Sequence, residues 1–303
     1  MSPRHTPSVS GRDRSVSRRT VLRGVGASAV GLGGLVLASS PAQAGKKDSC
    51  DDPPMWYPRV TTRGHFDTTW WGSVYITDGN DATNYDLAGD PIPGLDGSTP
   101  DELLIHAHGW NNDLEGGVCS VSEAGFTFDL EGYEHPVIGY TWDADYGWYN
   151  ATSIAEQNGA KLAHFLIAYR AQNPGVTLRL CCHSLGARVV LSAIDTLAQW
   201  GHHDVVESAT LLGGAADNDS PSLEGTYGSA IESTVGRLDN FWMNDDAVLD
   251  WAYTTAEWGT AIGASTIDGT PPANYADHNV DYVPDHFSHY KPDGCLHEVI
   301  TTF

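Results

Sequence analysis

Basic residues are scarce in this chain. Lysine and arginine together number 16 among 303 residues, against 39 aspartates and glutamates, so the formal net charge is −23. Only four of the basic residues are lysines. A surface with this excess of acid repels phosphate backbones, which excludes nucleic acid as a partner.

A long, uninterrupted apolar run is also missing. Residues 25–38 come closest, but this stretch is short for a membrane span and contains four glycines. Arg18 and Arg19 precede it, and the small-residue sequence AQA follows at positions 42–44. This pattern predicts a twin-arginine export signal over residues 1–44, with secretion and no stable membrane anchor after cleavage. The alternative is an uncleaved N-terminal anchor.

The predicted mature chain, residues 45–303, is more acidic than the whole. Residues 1–44 hold six of the basic residues and one acid, which leaves 10 basic and 38 acidic residues and a net charge of −28. This composition resembles that of proteins secreted by haloarchaeon-type halophiles, since about 1 M salt screens charge repulsion within about 3 Å. No linker-like stretch divides residues 45–303, so a single domain is expected.

Cysteine is sparse, and its spacing excludes the usual zinc sites. The chain has five cysteines and no CxxC pair. Cys181 and Cys182 lie on an apolar stretch and are expected to be buried thiols. An exported protein can form disulfides, but an odd number leaves at least one thiol free. Cys50, Cys119 and Cys295 are the candidates for pairing, and the sequence does not choose among them.

Apolar stretches of strand length alternate with amphipathic stretches of helix length. Predicted strands cover residues 72–77, 102–108, 136–142, 176–182, 208–214 and 237–243, predicted helices 152–172 and 186–200, and predicted loops 78–100 and 214–236. The alternation predicts an α/β fold, with a mostly parallel sheet covered by helices on both faces. Ligands of such sheets bind at the edge formed by the carboxyl ends of the strands.

An abrupt change from strand to helix occurs in "RLCCHSLGARVV", residues 179–190. A nucleophilic serine needs exposure at the sheet edge, a base, and donors for the developing oxyanion. A sharp turn at Ser184 would expose its hydroxyl and direct the backbone N–H of Leu185 at the reacting oxygen. The glycine at position 186 fits the crowding of such a turn. The alternative role for Ser184 is a helix cap.

Two motifs resemble the α/β-hydrolase superfamily. "CHSLG" matches the G-x-S-x-G turn except at Cys182, which replaces the first glycine. "LLIHAHGWNND", residues 103–113, resembles the strand that ends in His-Gly and donates the second oxyanion N–H, here from Trp110. Residues 140–166 resemble lipase- and esterase-like members without a large cap domain. The resemblance covers about residues 100–290, and it implies a hydrolase fold with Ser184 as nucleophile.

The resemblance also orders the triad as serine, acid and histidine. The acid usually follows the strand after next, where "RLDNFWMNDDAVL" at 237–249 favours Asp246 and leaves Asp245 open. Asp217 and Asp219, after the preceding strand, are alternatives. Any of them could be an ordinary solvated acid.

The histidine is expected late in the chain, in the loop "VPDHFSHYKPD" at 283–293. The superfamily pattern favours His286, with His289 possible and His278 less so. A histidine with a near-neutral pKa can take the serine proton and return it to the leaving group. Ordinary surface histidines would also suit such a polar loop.

These residues predict a secreted serine hydrolase of the carboxylesterase or lipase type that acts through an acyl-enzyme. The expected substrate is a small-molecule or lipid ester, and neither a cofactor nor a metal is expected. The aromatic residues within 142–150 follow a strand end and could form an apolar wall of the site. Two alternatives stay open: an exported binding protein that has lost catalysis, and a serine hydrolase of amides or thioesters. Acyl-chain length and oligomeric state are undetermined.

Overall fold

The computed structural model describes residues 48–77, 82–257 and 259–303. The predicted signal peptide, residues 1–44, and the domain boundary at residue 45 lie outside the described residues. In the described part, the strands are β1 Arg59–Thr61, β2 Phe66–Thr68, β3 Val74–Ile76, β4 Asp86–Ala88, β5 Glu102–Ala107, β6 Val137–Thr141, β7 Thr177–His183, β8 Val206–Leu212, β9 Val235–Trp242 and β10 Tyr275–Asn279. The α-helices are α1 Leu114–Leu130, α2 Trp148–Gln172, α3 Gly186–Gln199, α4 Gly228–Thr234, α5 Ala247–Ala252 and α6 Leu296–Thr301. Shorter helical turns cover Tyr253–Glu257, Ile262–Ala264 and His286–Ser288.

Eight strands form one sheet in the order β10-β9-β8-β7-β5-β6-β1-β4. All neighbouring pairs are parallel except β1 and β4, while β2 and β3 form a separate antiparallel hairpin. The carboxyl ends of seven strands therefore meet at one edge of the sheet. This architecture confirms the predicted α/β-hydrolase fold class. In the described part, no connection at this edge forms a large cap domain.

Helices cover both faces of the sheet, as the alternation of buried residues requires. Leu103 and Ile105 of β5 join the larger core, to which α2 and α3 contribute their apolar faces. Leu104, between them, points to the other face and joins a second core formed with α1 and α6. Burial on both sides explains why the central strands are continuously apolar.

The longest element that the sequence pattern missed is α1. Its glycine-rich sequence has low helix propensity, yet two of those glycines permit close packing. A β-carbon at Gly117 would lie 2.8 Å from the His108 ring, and one at Gly125 would collide with the Tyr57 hydroxyl. The predicted loops at 78–100 and 214–236 are also partly wrong, since they contain β4 and α4.

Two of the five cysteines form a disulfide, and the other three are buried free thiols. Cys50 bonds to Cys119 of α1, and this resolves the pairing that the sequence left open. Cys295 is buried and free, as are Cys181 and Cys182 on β7. Among the described residues, no helix has both the length and the apolar character needed to cross a membrane.

Candidate active site

Ser184 occupies a tight turn between β7 and α3. Its φ is +54°, in the left-handed region that costs a non-glycine residue about 1–3 kcal/mol. Hydrogen bonds hold the turn: the Ser184 N–H donates to Leu212 O at 3.0 Å, and the Ala215 N–H donates to Ser184 O at 2.9 Å. This is the strand–turn–helix setting that a nucleophilic serine requires.

Small residues let the end of β5 approach this turn. A β-carbon at Gly186 would lie 2.7 Å from Ala107 O, and one at Gly109 would lie 2.8 Å from the Ser184 β-carbon. Cys182, which replaces the first glycine of the motif, is buried with its Sγ 3.5 Å from Thr210 O. The turn thus closes with cysteine at this position, and the close approaches fall on Gly109 and Gly186 instead.

Asp246 and His286 meet beneath the same edge of the sheet. Asp246 is the N-cap of α5, and His286 begins the short helical turn His286–Ser288. The His286 Nδ1 donates to Asp246 Oδ2 at 2.7 Å. Both residues are buried, with 1% and 3% of their surfaces exposed.

The environment of Asp246 favours its ionised form. Burial by itself raises the pKa of this carboxyl, but the His286 charge, the His286 hydrogen bond and the Leu249 N–H outweigh burial and hold the pKa below its ordinary value. The other oxygen, Oδ1, accepts the N–H groups of Val248 and Leu249 at 3.1 and 3.0 Å. An ionised Asp246 fixes the proton on His286 Nδ1 and leaves Nε2 as the acceptor.

The other candidate acids have different surroundings. Asp245 is exposed. Asp217 is exposed too, and its carboxylate lies 4.0 Å from the Arg188 guanidinium. Asp219 is likewise exposed. None of the three has a hydrogen bond or ion pair with a histidine within the described residues.

The other candidate histidines lie in structural contacts. His289 is fully buried, with its Nδ1 3.8 Å from the Cys295 thiol. Burial lowers the pKa of His289 to about 4. The His278 Nε2 lies 2.6 Å from Asp239 Oδ1, so that pair joins β10 to β9. Among these candidates, the structure therefore pairs His286 with Asp246.

Ser184 and His286 line one small pocket at the carboxyl edge. Its other lining residues are Asp48, Gly109, Trp110, Asn112, His183, Val248 and Phe287. Within the described residues, the Ser184 hydroxyl forms no hydrogen bond with His286. This contact is often long in unliganded hydrolases and tightens when substrate binds. In the described part, no group of three or more His, Cys, Asp or Glu side chains could hold a metal ion.

Two backbone N–H groups near the serine have no partner within the described residues: those of Trp110 and Leu185. Trp110 follows Gly109 at the end of β5, where the chain turns through Asn111 with a φ of +63°. Leu185 directly follows the serine and precedes α3. Free donors beside a nucleophile are what an oxyanion requires.

Only some of the aromatic residues that the sequence suggested lie near the pocket. The Trp110 ring centroid lies 5.1 Å from that of Trp148 and 6.5 Å from that of Trp251, so the three rings form an aromatic cluster beside the pocket that Trp110 lines. Trp142, by contrast, is fully buried and stacks on His108 at 5.6 Å. The predicted apolar wall within 142–150 thus includes Trp148 but not Trp142.

Sequence reasoning missed four residues near Ser184 and His286. His183 is buried and its Nε2 donates to the backbone carbonyl of His286 at 2.7 Å. Burial lowers the pKa of His183 well below its ordinary value, which favours the neutral ring. Asp48, Asn112 and Tyr290 form a hydrogen-bonded group, of which Asp48 and Asn112 line the pocket. His183 adjoins the serine and could have been found, whereas Asp48 carries no motif signal.

Comparisons with known proteins give a family and distant structural likenesses. Residues 137–292 match the family model described as "Protein of unknown function (DUF726)". No curated protein matches the chain. A lidless serine hydrolase, XC6422 from Xanthomonas campestris, is 17% identical, covers 73% of this chain and 91% of its own, and has a TM-score of 0.39. Est1E from Butyrivibrio proteoclasticus, solved with ferulic acid, is 11% identical, with coverages of 70% and 91% and a TM-score of 0.40. A Trichoderma reesei cutinase is 16% identical, with coverages of 45% and 60% and a TM-score of 0.32.

Proposed function

The chain belongs to the DUF726 family of proteins of unknown function, and from its own site we propose that it is a serine hydrolase of carboxylic esters. The observation that carries this proposal is the buried 2.7 Å contact between His286 Nδ1 and Asp246 Oδ2, in a site whose pocket Ser184 and His286 share. A strained serine, an oriented histidine and free N–H donors together have the chemistry of acyl transfer.

In the proposed mechanism, the Ser184 Oγ attacks the ester carbonyl while His286 Nε2 takes the hydroxyl proton. The N–H groups of Trp110 and Leu185 hold the negative oxygen of the tetrahedral intermediate. His286 then returns the proton to the leaving alcohol, and the acyl group stays on Ser184. Water, activated by His286, attacks the acyl-enzyme and releases the carboxylic acid. Asp246 stabilises the transient imidazolium and stays ionised throughout.

The proposed substrate is a small-molecule or lipid ester with an apolar acyl or aryl part. Trp110, Trp148 and Trp251 support this choice, because their rings offer an apolar contact beside the oxyanion donor. The excess of acid over base disfavours strongly anionic substrates by charge repulsion.

We also propose that the protein is secreted through the twin-arginine pathway and works at high salt. The twin arginines at 18 and 19 and the net charge of −23 support this. The Cys50–Cys119 disulfide supports an oxidising, extracellular setting. The proposed export signal, residues 1–44, lies outside the described residues.

The test compares Ser184→Ala with wild type in hydrolysis of p-nitrophenyl esters of increasing acyl length, in molar KCl. Loss of the nucleophile is expected to lower kcat by about 10⁴-fold or more. Ser229→Ala, which changes an exposed serine on α4, is the control and should keep wild-type rates. Labelling by a fluorophosphonate should be lost with Ser184 and kept in the control.

Each other outcome has a definite meaning. A folded wild-type protein that turns over no ester and takes no fluorophosphonate contradicts the proposal and favours the binding-protein alternative. Cleavage of amide or thioester counterparts in preference to esters keeps the serine mechanism but changes the substrate. A Ser184→Ala protein with undiminished activity would remove Ser184 from the mechanism.

A further inference from the structure

Two loops bring the proposed catalytic groups together from different strands. The oxyanion loop, residues 109–112, follows β5 and carries Trp110. The histidine loop, residues 286–290, follows β10 and carries His286. Neither loop belongs to a strand, so their relative position depends on side-chain contacts. One carboxylate, that of Asp48, contacts both loops.

Asp48 binds the oxyanion loop through a reciprocal pair of hydrogen bonds. The Asn112 Nδ2 donates to Asp48 Oδ2 at 2.9 Å, and the Asp48 N–H donates to Asn112 Oδ1 at 3.0 Å. Asn112 is 1% exposed, and its Nδ2 also lies 3.3 Å from Gly109 O. The pair therefore fixes which way the Asn112 amide points, and the amide in turn contacts the residue just before Trp110.

The second oxygen of Asp48 binds the histidine loop. The Tyr290 hydroxyl donates to Asp48 Oδ1 at 2.8 Å, and Tyr290 is fully buried. The Tyr290 ring packs on the His183 ring, with centroids 5.0 Å apart. His183 holds the carbonyl of His286, so the Asp48 contact extends to the backbone of the proposed base.

A disulfide ties the segment that carries Asp48 to α1. Residues 48–58 contain neither helix nor strand. Cys50, two residues after Asp48, is bonded to Cys119 of α1, and α1 begins just after the oxyanion loop. Gly116 of the same helix lets the segment approach, since a β-carbon there would lie 2.7 Å from Asp48 O.

Asp48 differs from the neighbouring acids of the same segment. Asp51 and Asp52 are exposed and have no hydrogen bond or ion pair within the described residues. Asp48, by contrast, lines the pocket that contains Ser184 and uses both carboxylate oxygens. An acid placed only for surface charge would not need a disulfide anchor and two buried partners.

We propose that Asp48 is a positioning residue that sets the spacing between the Trp110 oxyanion donor and His286, and that the Cys50–Cys119 disulfide keeps it in place. This inference rests on the proposed ester hydrolysis. Because a shift of about 1 Å in a catalytic group can lower the rate by about 10²-fold, the position of this carboxylate should affect kcat. It should affect KM little, since both carboxylate oxygens of Asp48 are already bonded to protein groups.

The test compares Asp48→Ala with Asp52→Ala, which removes the same charge from the same segment. Asp48→Ala is expected to lower kcat by about 10- to 100-fold with KM within about twofold of wild type. A trifluoromethyl ketone, which mimics the tetrahedral intermediate, should bind more weakly by a similar factor. Asp52→Ala should match wild type in all three measurements. Near-ultraviolet circular dichroism checks that both variants fold.

An exchange of the paired groups separates positioning from general destabilisation. Asp48→Asn leaves one acceptor oxygen for two donors, Asn112 Nδ2 and the Tyr290 hydroxyl, and Asn112→Asp sets two carboxylates against each other, so each alone should lower kcat. The double variant restores a donor facing an acceptor and should recover part of the loss. Recovery stays partial because Asp at position 112 cannot donate to Gly109 O. Replacing both Cys50 and Cys119 with serine should lower kcat in the same direction as Asp48→Ala.

The outcomes distinguish this inference from the proposed function. An active wild type with equal kcat in the Asp48→Ala and Asp52→Ala variants overturns the inference alone. A double exchange whose kcat is no higher than that of either single variant also overturns the inference. This second test still applies if Asp48→Ala does not fold. A wild type that hydrolyses no ester overturns the proposed function and this inference with it.

Discussion

Gly109 leaves no room for a side chain beside the proposed nucleophile. A β-carbon there would lie 2.8 Å from the Ser184 β-carbon and 3.2 Å from His183 O, a backbone atom that cannot move alone. Gly109→Ala is therefore expected to displace the Trp110 donor from Ser184 and to lower kcat by about 10²-fold, measured with a p-nitrophenyl ester. Gly175→Ala is the matched control, because nothing lies within 4 Å of a β-carbon at that position. Equal kcat in the two variants would show that the structure relieves this contact without displacing the catalytic groups.

The residues of the site differ in how readily the sequence reveals them. Ser184 stands in a local motif, whereas Asp246 and His286 are favoured only by the chain order of the hydrolase superfamily, which leaves Asp245, Asp217 and His289 open. Asp48 could not be predicted, since its partners Asn112 and Tyr290 are 64 and 242 residues away in the chain. Such contacts depend on the packing of the whole fold and leave no local periodicity.

At the scale of elements, α5 and the proposed triad share one carboxylate. Asp246 Oδ1 caps the helix at Val248 and Leu249, while Oδ2 accepts from His286. Asp246→Asn can keep the cap but faces the His286 Nδ1–H with an amide, which favours the wrong tautomer. We expect kcat to fall by about 10⁴-fold with little change in thermal stability. Asp246→Ala should lose activity as well and also about 1 kcal/mol of stability, because the cap is gone.

Calorimetry and ester kinetics on the two Asp246 variants check this division of roles. If Asp246→Asn lost as much stability as Asp246→Ala, the cap would not be separable from the histidine contact. If Asp246→Asn kept wild-type kcat, another acid would have to orient His286. Asp245→Asn serves as the matched control, since that neighbouring carboxylate is exposed and should matter for neither quantity.

The predicted elements show where sequence periodicity succeeds and where it fails. The buried strands β5, β6, β7, β8 and β9 were found because burial on both faces makes them apolar throughout. Helix α1 was missed because its glycines have low helix propensity, and they are tolerated only because neighbours such as His108 pack tightly against them. Short strands such as β4 carry three residues, too few for an alternation to be recognised.

At the scale of the whole molecule, a strongly acidic composition is combined with a group of buried histidines that stay uncharged. The chain has a net charge of −23, yet four histidines besides His286 are completely or almost completely buried: His106, His108, His183 and His289. Burial lowers the pKa of His106 and of His108 to about 3, and that of His289 to about 4. The folded protein therefore holds these rings neutral, whereas the unfolded chain protonates them below its histidine pKa of about 6.5.

This difference predicts loss of stability on mild acidification. Between about pH 6.5 and pH 4 the unfolded state binds more protons than the folded state, so the free energy of unfolding falls as pH falls, by at most about 1.4 kcal/mol per pH unit for each histidine. Urea midpoints measured from pH 7.5 to 4.5 at constant molar KCl should decrease steadily. His106→Leu should flatten the slope, because it removes one of these buried histidines. It breaks no hydrogen bond, since neither His106 ring nitrogen has a partner within the described residues. His297→Leu, at an exposed position, should leave the slope unchanged. Midpoints that stay level across this range would mean that the buried rings take up protons without unfolding.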